Sequence, residues 1–180
     1  MKDLPLIRHR VTAVAAAALM TGGVLLGTSG AATAVAVSPV GIPAEVSPAD
    51  QQAILAETNG VRRQAGQPPL TWDTGLASAS QAWADDPRST AGGGLRHDDS
   101  AAGAENMSGA PPSGATAQWA GEKAAYDADS DHDPETNAAG YAAWGHYANM
   151  TDGSYTKMGC GAKSGVPVPG EGWVTVCRYN

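Results

Sequence analysis

The order of patterns along the chain predicts an α+β domain, or a layered α/β/α one. Apolar residues recur at helical spacing through most of the chain, whereas its C-terminal part alternates as antiparallel strands do. Two cysteines, Cys160 and Cys177, flank the turn between the two strand-like runs. Ser47 caps the first helix, with Pro48 at its first position and Asp50 three residues after the cap. Ile54, Leu55, Thr58 and Val61 follow at helical spacing, Gly66 ends the helix and Pro68-Pro69 breaks the chain. A second helix is predicted from Asp73 to Ala84, with Leu76, Ala79, Ser80 and Trp83 on one face. Asp85 to Ala104 reads as a Gly- and Asp-rich loop. A third helix begins near Ser113 and carries Trp119, Glu122 and Tyr126 on one stripe. An acidic loop, Asp127 to Asn137, leads to a short fourth helix over Ala138 to Asn149. From Lys157 the chain reads as β: Met158 to Gly161, a Gly/Pro turn, then Trp173 to Tyr179, rich in strand-forming residues.

The N-terminal segment has the composition of a secretory signal. Lys2, Arg8 and Arg10 precede an apolar stretch from Val11 to Leu26, and small residues follow. Ala32-Thr33-Ala34 and Ala34-Val35-Ala36 both suit signal peptidase, so cleavage is expected after Ala34 or Ala36. The apolar run is shorter than the ~20 residues of a spanning helix, and no membrane span is expected. This divides the chain into a signal peptide at 1–34, a linker at 35–46 and a domain at 47–180, secreted and extracellular. The whole chain carries −7, and residues 1–34 contribute +2, so the mature protein stands at −9. Such a surface does not neutralise phosphates and excludes nucleic acid as a partner.

Cysteine usage fits the same compartment. Two cysteines close together in an exported chain are expected to pair, the other possibility being two buried thiols. Among the remaining polar residues, His97, Glu105, Glu122 and His146 have the imidazole and carboxylate chemistry of a divalent cation site such as zinc. Linear spacing does not show that they converge, and histidines satisfied by hydrogen bonds are the bland alternative. The acidic loop is not an EF-hand, because His132 and Ala138 occupy the positions where the turn Gly and bidentate Glu belong. No G-x-S-x-G elbow is present. Two glycosylation sequons, at Asn106 and Asn149, are read as coincidental in an Ala- and Gly-heavy, bacterial-looking composition.

Taken in order, the motifs resemble the CAP superfamily of cysteine-rich secretory, antigen 5 and pathogenesis-related proteins, over Ala49 to Tyr179. Asn59, Arg62, Leu70, Trp72, Asp73, Leu76, Gln81, Trp83 and Ala84 are similar to the family's opening segment. Leu95-Arg96-His97 is similar to L-x-H, Ala104-Glu105-Asn106-Met107 to G-E-N-L, and Trp119, Glu122 and Tyr126 to W-x-x-E-x-x-x-Y. Gly145-His146-Tyr147 matches G-H-Y, Gly159-Cys160-Gly161 follows at the family's distance, and Trp173 to Tyr179 is similar to W-V-x-V-C-x-Y. The resemblance implies a three-layer α-β-α sandwich. It also implies that His97, Glu105, Glu122 and His146 meet in a central cleft, lined further by Asn106, Tyr126, Tyr147 and Asn149. Two departures stand out: Ala104 replaces a glycine, and Ala148 to Asp152 replaces T-Q-x-V-W, which exchanges an aromatic residue for a charge near the cleft wall.

Members of the family have been assigned lipid or sterol binding, partner binding and metal-dependent hydrolysis, so the fold leaves function open. The tetrad has no evident nucleophile. The expectation is a non-enzymatic extracellular binding protein for a lipid, a sterol or a protein partner. A divalent-metal hydrolase or peptidase is the alternative. Met107 to Pro112 and Val166 to Pro169 are candidate walls for an apolar groove.

Overall fold

Ser47 forms the expected capping box: its hydroxyl accepts from Asp50 N at 3.1 Å, and the Asp50 carboxylate accepts from Ser47 N at 3.2 Å. The computed structural model describes residues 46–180, so the predicted signal peptide and all of the predicted linker except Val46 lie outside the described residues. Helix α1 runs Pro48–Gln64, β1 is Thr71–Trp72 and α2 is Thr74–Asp85. A 3-10 turn at Pro87–Thr90 interrupts the loop that leads to β2, Ala104–Ser108. Then come α3 (Pro112–Gly121), α4 (Lys123–Ala128), α5 (Ala138–Thr151), β3 (Lys157–Ser164) and β4 (Trp173–Tyr179).

The expected helices are present with shifted ends. Asp73 is the cap of α2 and not its first residue, its carboxylate accepting from Gly75 N and Leu76 N, both at 2.9 Å. The predicted third helix is two helices. The chain turns at Glu122, just past the poor helix-former Gly121, and Glu122 N bonds the carbonyl of Trp119. That turn aims the Glu122 side chain at α5. Strands β1 and β2 were not anticipated in the pattern of their residues.

The sheet has the order β1-β3-β4-β2, with β1 parallel to β3 and the other pairs antiparallel. Cys160 lies directly opposite Cys177 in the β3–β4 ladder, and the two form a disulfide. Alternation along the strands sorts the core into two layers. Met158, Cys160, Cys177 and Tyr179 join Ile54, Trp119 and Met150 of α1, α3 and α5 on one face. Val174, Val176 and Met107 join Trp83 and Ala84 of α2 on the other. The order is therefore helix, sheet, helices, the expected three-layer α-β-α sandwich.

Glycine makes the α2 side possible. A Cβ at Gly161 would lie 2.2 Å from Gln81 N, and one at Gly159 would lie 2.3 Å from Ala77 N, so α2 rests its backbone on β3. On the opposite side Arg62 binds elements together from within. Its buried guanidinium donates to the carbonyls of Pro68 (2.7 Å), Met150 (2.8 Å), Asp152 (2.9 Å) and Tyr155 (3.1 Å). Among the described residues no helix is long and apolar enough to cross a membrane.

Candidate functional site

His97 stands on an irregular segment held from below. Leu95 packs against the α2-side core, Trp83 Nε1 donates to Arg96 O at 2.9 Å, and Arg96 N donates to Ser89 O at 2.8 Å. Its ring is more than half exposed, while Nδ1–H donates to Glu105 Oε1 at 2.9 Å. Glu105 is on β2 and faces Arg178 directly across the β2–β4 ladder. Its second oxygen, Oε2, accepts from Arg178 Nε at 3.1 Å, and Oε1 also accepts from Asp98 N at 3.1 Å. Arg178 Nη2 continues to Asp98 Oδ2 at 2.7 Å. The Asp98 carboxyl is held below the usual carboxylate range by the Ser100 hydroxyl, then by the Ser100 backbone N–H and the Arg178 guanidinium.

A second imidazole–carboxylate pair is built between helices. His146 on α5 donates from Nδ1 to Glu122 Oε1 at 2.6 Å. Glu122 Oε2 accepts from the backbone N–H of His146 (3.0 Å) and of Tyr147 (3.2 Å). The His146 ring stacks over Trp119, with centroids 6.1 Å apart. Each glutamate takes an Nδ1–H, which fixes the tautomer and ring direction and leaves each Nε2 as an acceptor.

His97, Glu105 and His146 line one cavity of about 430 Å³, together with Asp98, Tyr141 and Asn149. Glu122 stands behind His146 and does not line it. Of the other expected lining residues, only Asn149 is on the wall. Asn106 is wholly buried and connects it inward: its Oδ1 accepts from Asn149 Nδ2 at 2.9 Å and its Nδ2 donates to His146 O at 2.9 Å. Tyr147 is buried. Tyr126 stacks on His132 at 3.8 Å and lines a different hollow.

All four carboxylate oxygens of Glu105 and Glu122 accept hydrogen bonds, and Oε1 of each orients an imidazole. Among the described residues no group of three or more His, Cys, Asp or Glu is placed to hold a metal ion. The donors that fit a cation in kind are the two imidazole Nε2 atoms, with the glutamates as their outer support. The groove walls expected from Met107 to Pro112 and Val166 to Pro169 are also absent from the cleft. Met107, Ser108, Ala110 and Pro112 are buried, and Val166 and Val168 pack against the α2-side core.

Arg178, Asp98 and Tyr141 were missed in the sequence reading. A lone cation in a strand as apolar as Trp173–Tyr179 was the available signal for Arg178, because a buried guanidinium demands a carboxylate.

The domain is thus a mixed sheet with helices on both faces, one His–Glu pair at its β2 edge and a second between α4 and α5. A family model described as the cysteine-rich secretory protein family, CAP, matches residues 55–179. The chain is 33% identical over 127 residues to pathogenesis-related protein 1A1 of Solanum lycopersicum, covering 68% of this chain and 66% of that relative's length. The solved structure of MpPR-1i matches with a TM-score of 0.52 at 22% identity, covering 74% of this chain and 89% of that one. The same protein soaked with selenourea gives 0.51 at 21%, covering 74% and 93%. The chain belongs to the CAP family of cysteine-rich secretory proteins.

Proposed function

We propose that the protein is a secreted, non-enzymatic binding protein whose cleft around His97 and His146 receives part of an extracellular partner. The observation that supports this reading is the cavity wall itself. Among the described residues it carries two oriented imidazoles and no serine, threonine, cysteine or lysine. Two imidazole–carboxylate pairs with no hydroxyl of serine or threonine and no thiol beside them offer hydrogen bonds to a ligand and have no such group to activate. A peptide segment suits the mixed polar and apolar wall better than a sterol, because neither apolar stretch expected as a groove lines this cavity.

One feature favours a second reading. Two Nε2 acceptors open on the same cavity suit zinc, held by His97 and His146, with Glu105 and Glu122 orienting the rings. Bound there, a metal would supply Lewis acidity and an activated water. Calorimetry with zinc on the mature protein is the test. Saturable heats in wild type that vanish in His97→Ala/His146→Ala support the metal site; identical heats remove it. Turnover of casein or p-nitrophenyl acetate by zinc-loaded protein, above that of the double variant, would overturn the non-enzymatic reading.

A further inference from the structure

Tyr141 is a partition. It lines the His97/His146 cavity on one side and a second cavity of about 370 Å³ on the other, with Gly103, Ala104 and Asn149 shared between them. Its ring lies flat over Gly145, where a Cβ would come within 2.9–3.1 Å of three ring carbons, and its hydroxyl donates to Asn149 Oδ1 at 3.3 Å. The second cavity is walled by His132, Pro134, Trp144, Asp152 and Tyr155. Trp144 meets both Tyr141 (5.2 Å) and His132 (5.4 Å) edge to face, and its Nε1 is anchored on Asp129 Oδ2 at 2.9 Å. These contacts make a stiff aromatic wall.

One carboxylate faces it. Asp152 Oδ1 accepts from Ser154 N (2.8 Å) and Ser154 Oγ (2.7 Å), whereas Oδ2 accepts no hydrogen bond among the described residues. The Tyr155 hydroxyl is pushed up by burial and then by the nearby Asp152 and Tyr141, which places the three groups in one electrostatic neighbourhood. Among the described residues no Lys or Arg lines either cavity. Arg62 is buried with its donors on four carbonyls, including that of Asp152, and its charge offsets part of the Asp152 charge without a bond to the carboxylate. Aromatic rings beside an open carboxylate, in a chain of net charge −7, attract a cation and offer a neutral group much less.

We infer that the second cavity is a subsite for an arginine side chain of the peptide that enters the cleft, an inference that rests on the partner reading above. The planar guanidinium stacks on tyrosine and pairs with a carboxylate at once, which an ammonium does less well.

The test uses the mature protein in NMR titrations with N-acetyl-arginine amide and its uncharged isostere N-acetyl-citrulline amide. The arginine probe is expected to shift the Trp144 indole and Tyr155 ring resonances saturably, and the citrulline probe to bind at least tenfold more weakly. Asp152→Asn, whose amide oxygen can still accept from Ser154, is expected to weaken arginine binding at least fivefold, and Asp152→Glu to restore most of it. If Asp152→Asn melts early, the wild-type salt dependence carries the charge test, with weaker binding expected at higher salt. Equal affinity for the two probes overturns the proposal, as do absent saturation at Tyr155 and arginine binding that ignores salt and Asp152. His97 and His146 resonances report the main cleft separately. With an arginine-containing pentapeptide in place of the single residue, silence there with saturation at Tyr155 fails the partner-cleft reading and leaves the cationic subsite standing.

Discussion

Arg62 shows how much one side chain holds in this molecule. Its guanidinium donates to four backbone carbonyls, from the loop after α1, the end of α5 and the turn before β3. Arg62→Met therefore removes donors from four acceptors at once, in a place closed to solvent. We expect a loss on the order of 3 kcal/mol or more, read as a lower urea midpoint. The sequence-level signal for Arg62 was its place in the family's opening motif, not its burial, since an arginine on a helix normally reads as a solvated end. The candidate site followed the same rule. His97, Glu105, Glu122 and His146 were legible because family motifs surround them. Their division into two closed pairs was not, because which oxygen meets which nitrogen depends on the Glu122 turn and on Arg178 across the sheet.

At the level of elements, the β3 glycines and the disulfide act on opposite faces of one strand. Gly161→Ala drives a methyl into the backbone of α2, and the strand or the helix must give way. A cost of roughly 1–3 kcal/mol or more is expected from thermal melts. Cys160→Ser breaks the cross-link to Cys177 on the other face, and a loss on the order of 2–5 kcal/mol is expected. Helices α1, α2 and α5 were legible because caps and apolar spacing are local signals. Strand β2 was not. Ala104 to Ser108 contains no β-branched or aromatic residue, and its strand character comes from its ladder with β4. Two-residue β1 is likewise made by its partner β3.

Across the whole molecule, carboxylates set the response to acid. Asp73 is held low by the Leu76 backbone N–H and by Lys157, Asp129 by the Asp131 N–H and the Trp144 indole, and Asp98 by Ser100 and Arg178. Asp86 is drawn down to about 2 by Arg88. Each has a folded value below its unfolded one, so on acidification the unfolded chain takes up protons first. The stability these groups contribute is present above about pH 4 and is lost as pH falls from there toward 2. Glu57 opposes this slightly, since burial raises it. Melting temperatures that hold steady from pH 4 to pH 2 would contradict the account.

The strand order carries a consequence for how the protein is made. β4 sits between β3 and β2, and Asn106 waits about 70 residues for its ladder partner Cys177. A ribosome delivers that middle strand after the other described strands, so the sheet stays open until Trp173 to Tyr179 emerges. A chain halted before Trp173 is expected to show no cooperative melt, and a sharp transition from it would refute this. Late closure keeps the sheet layer unfinished, and the polypeptide pliable, for most of its synthesis.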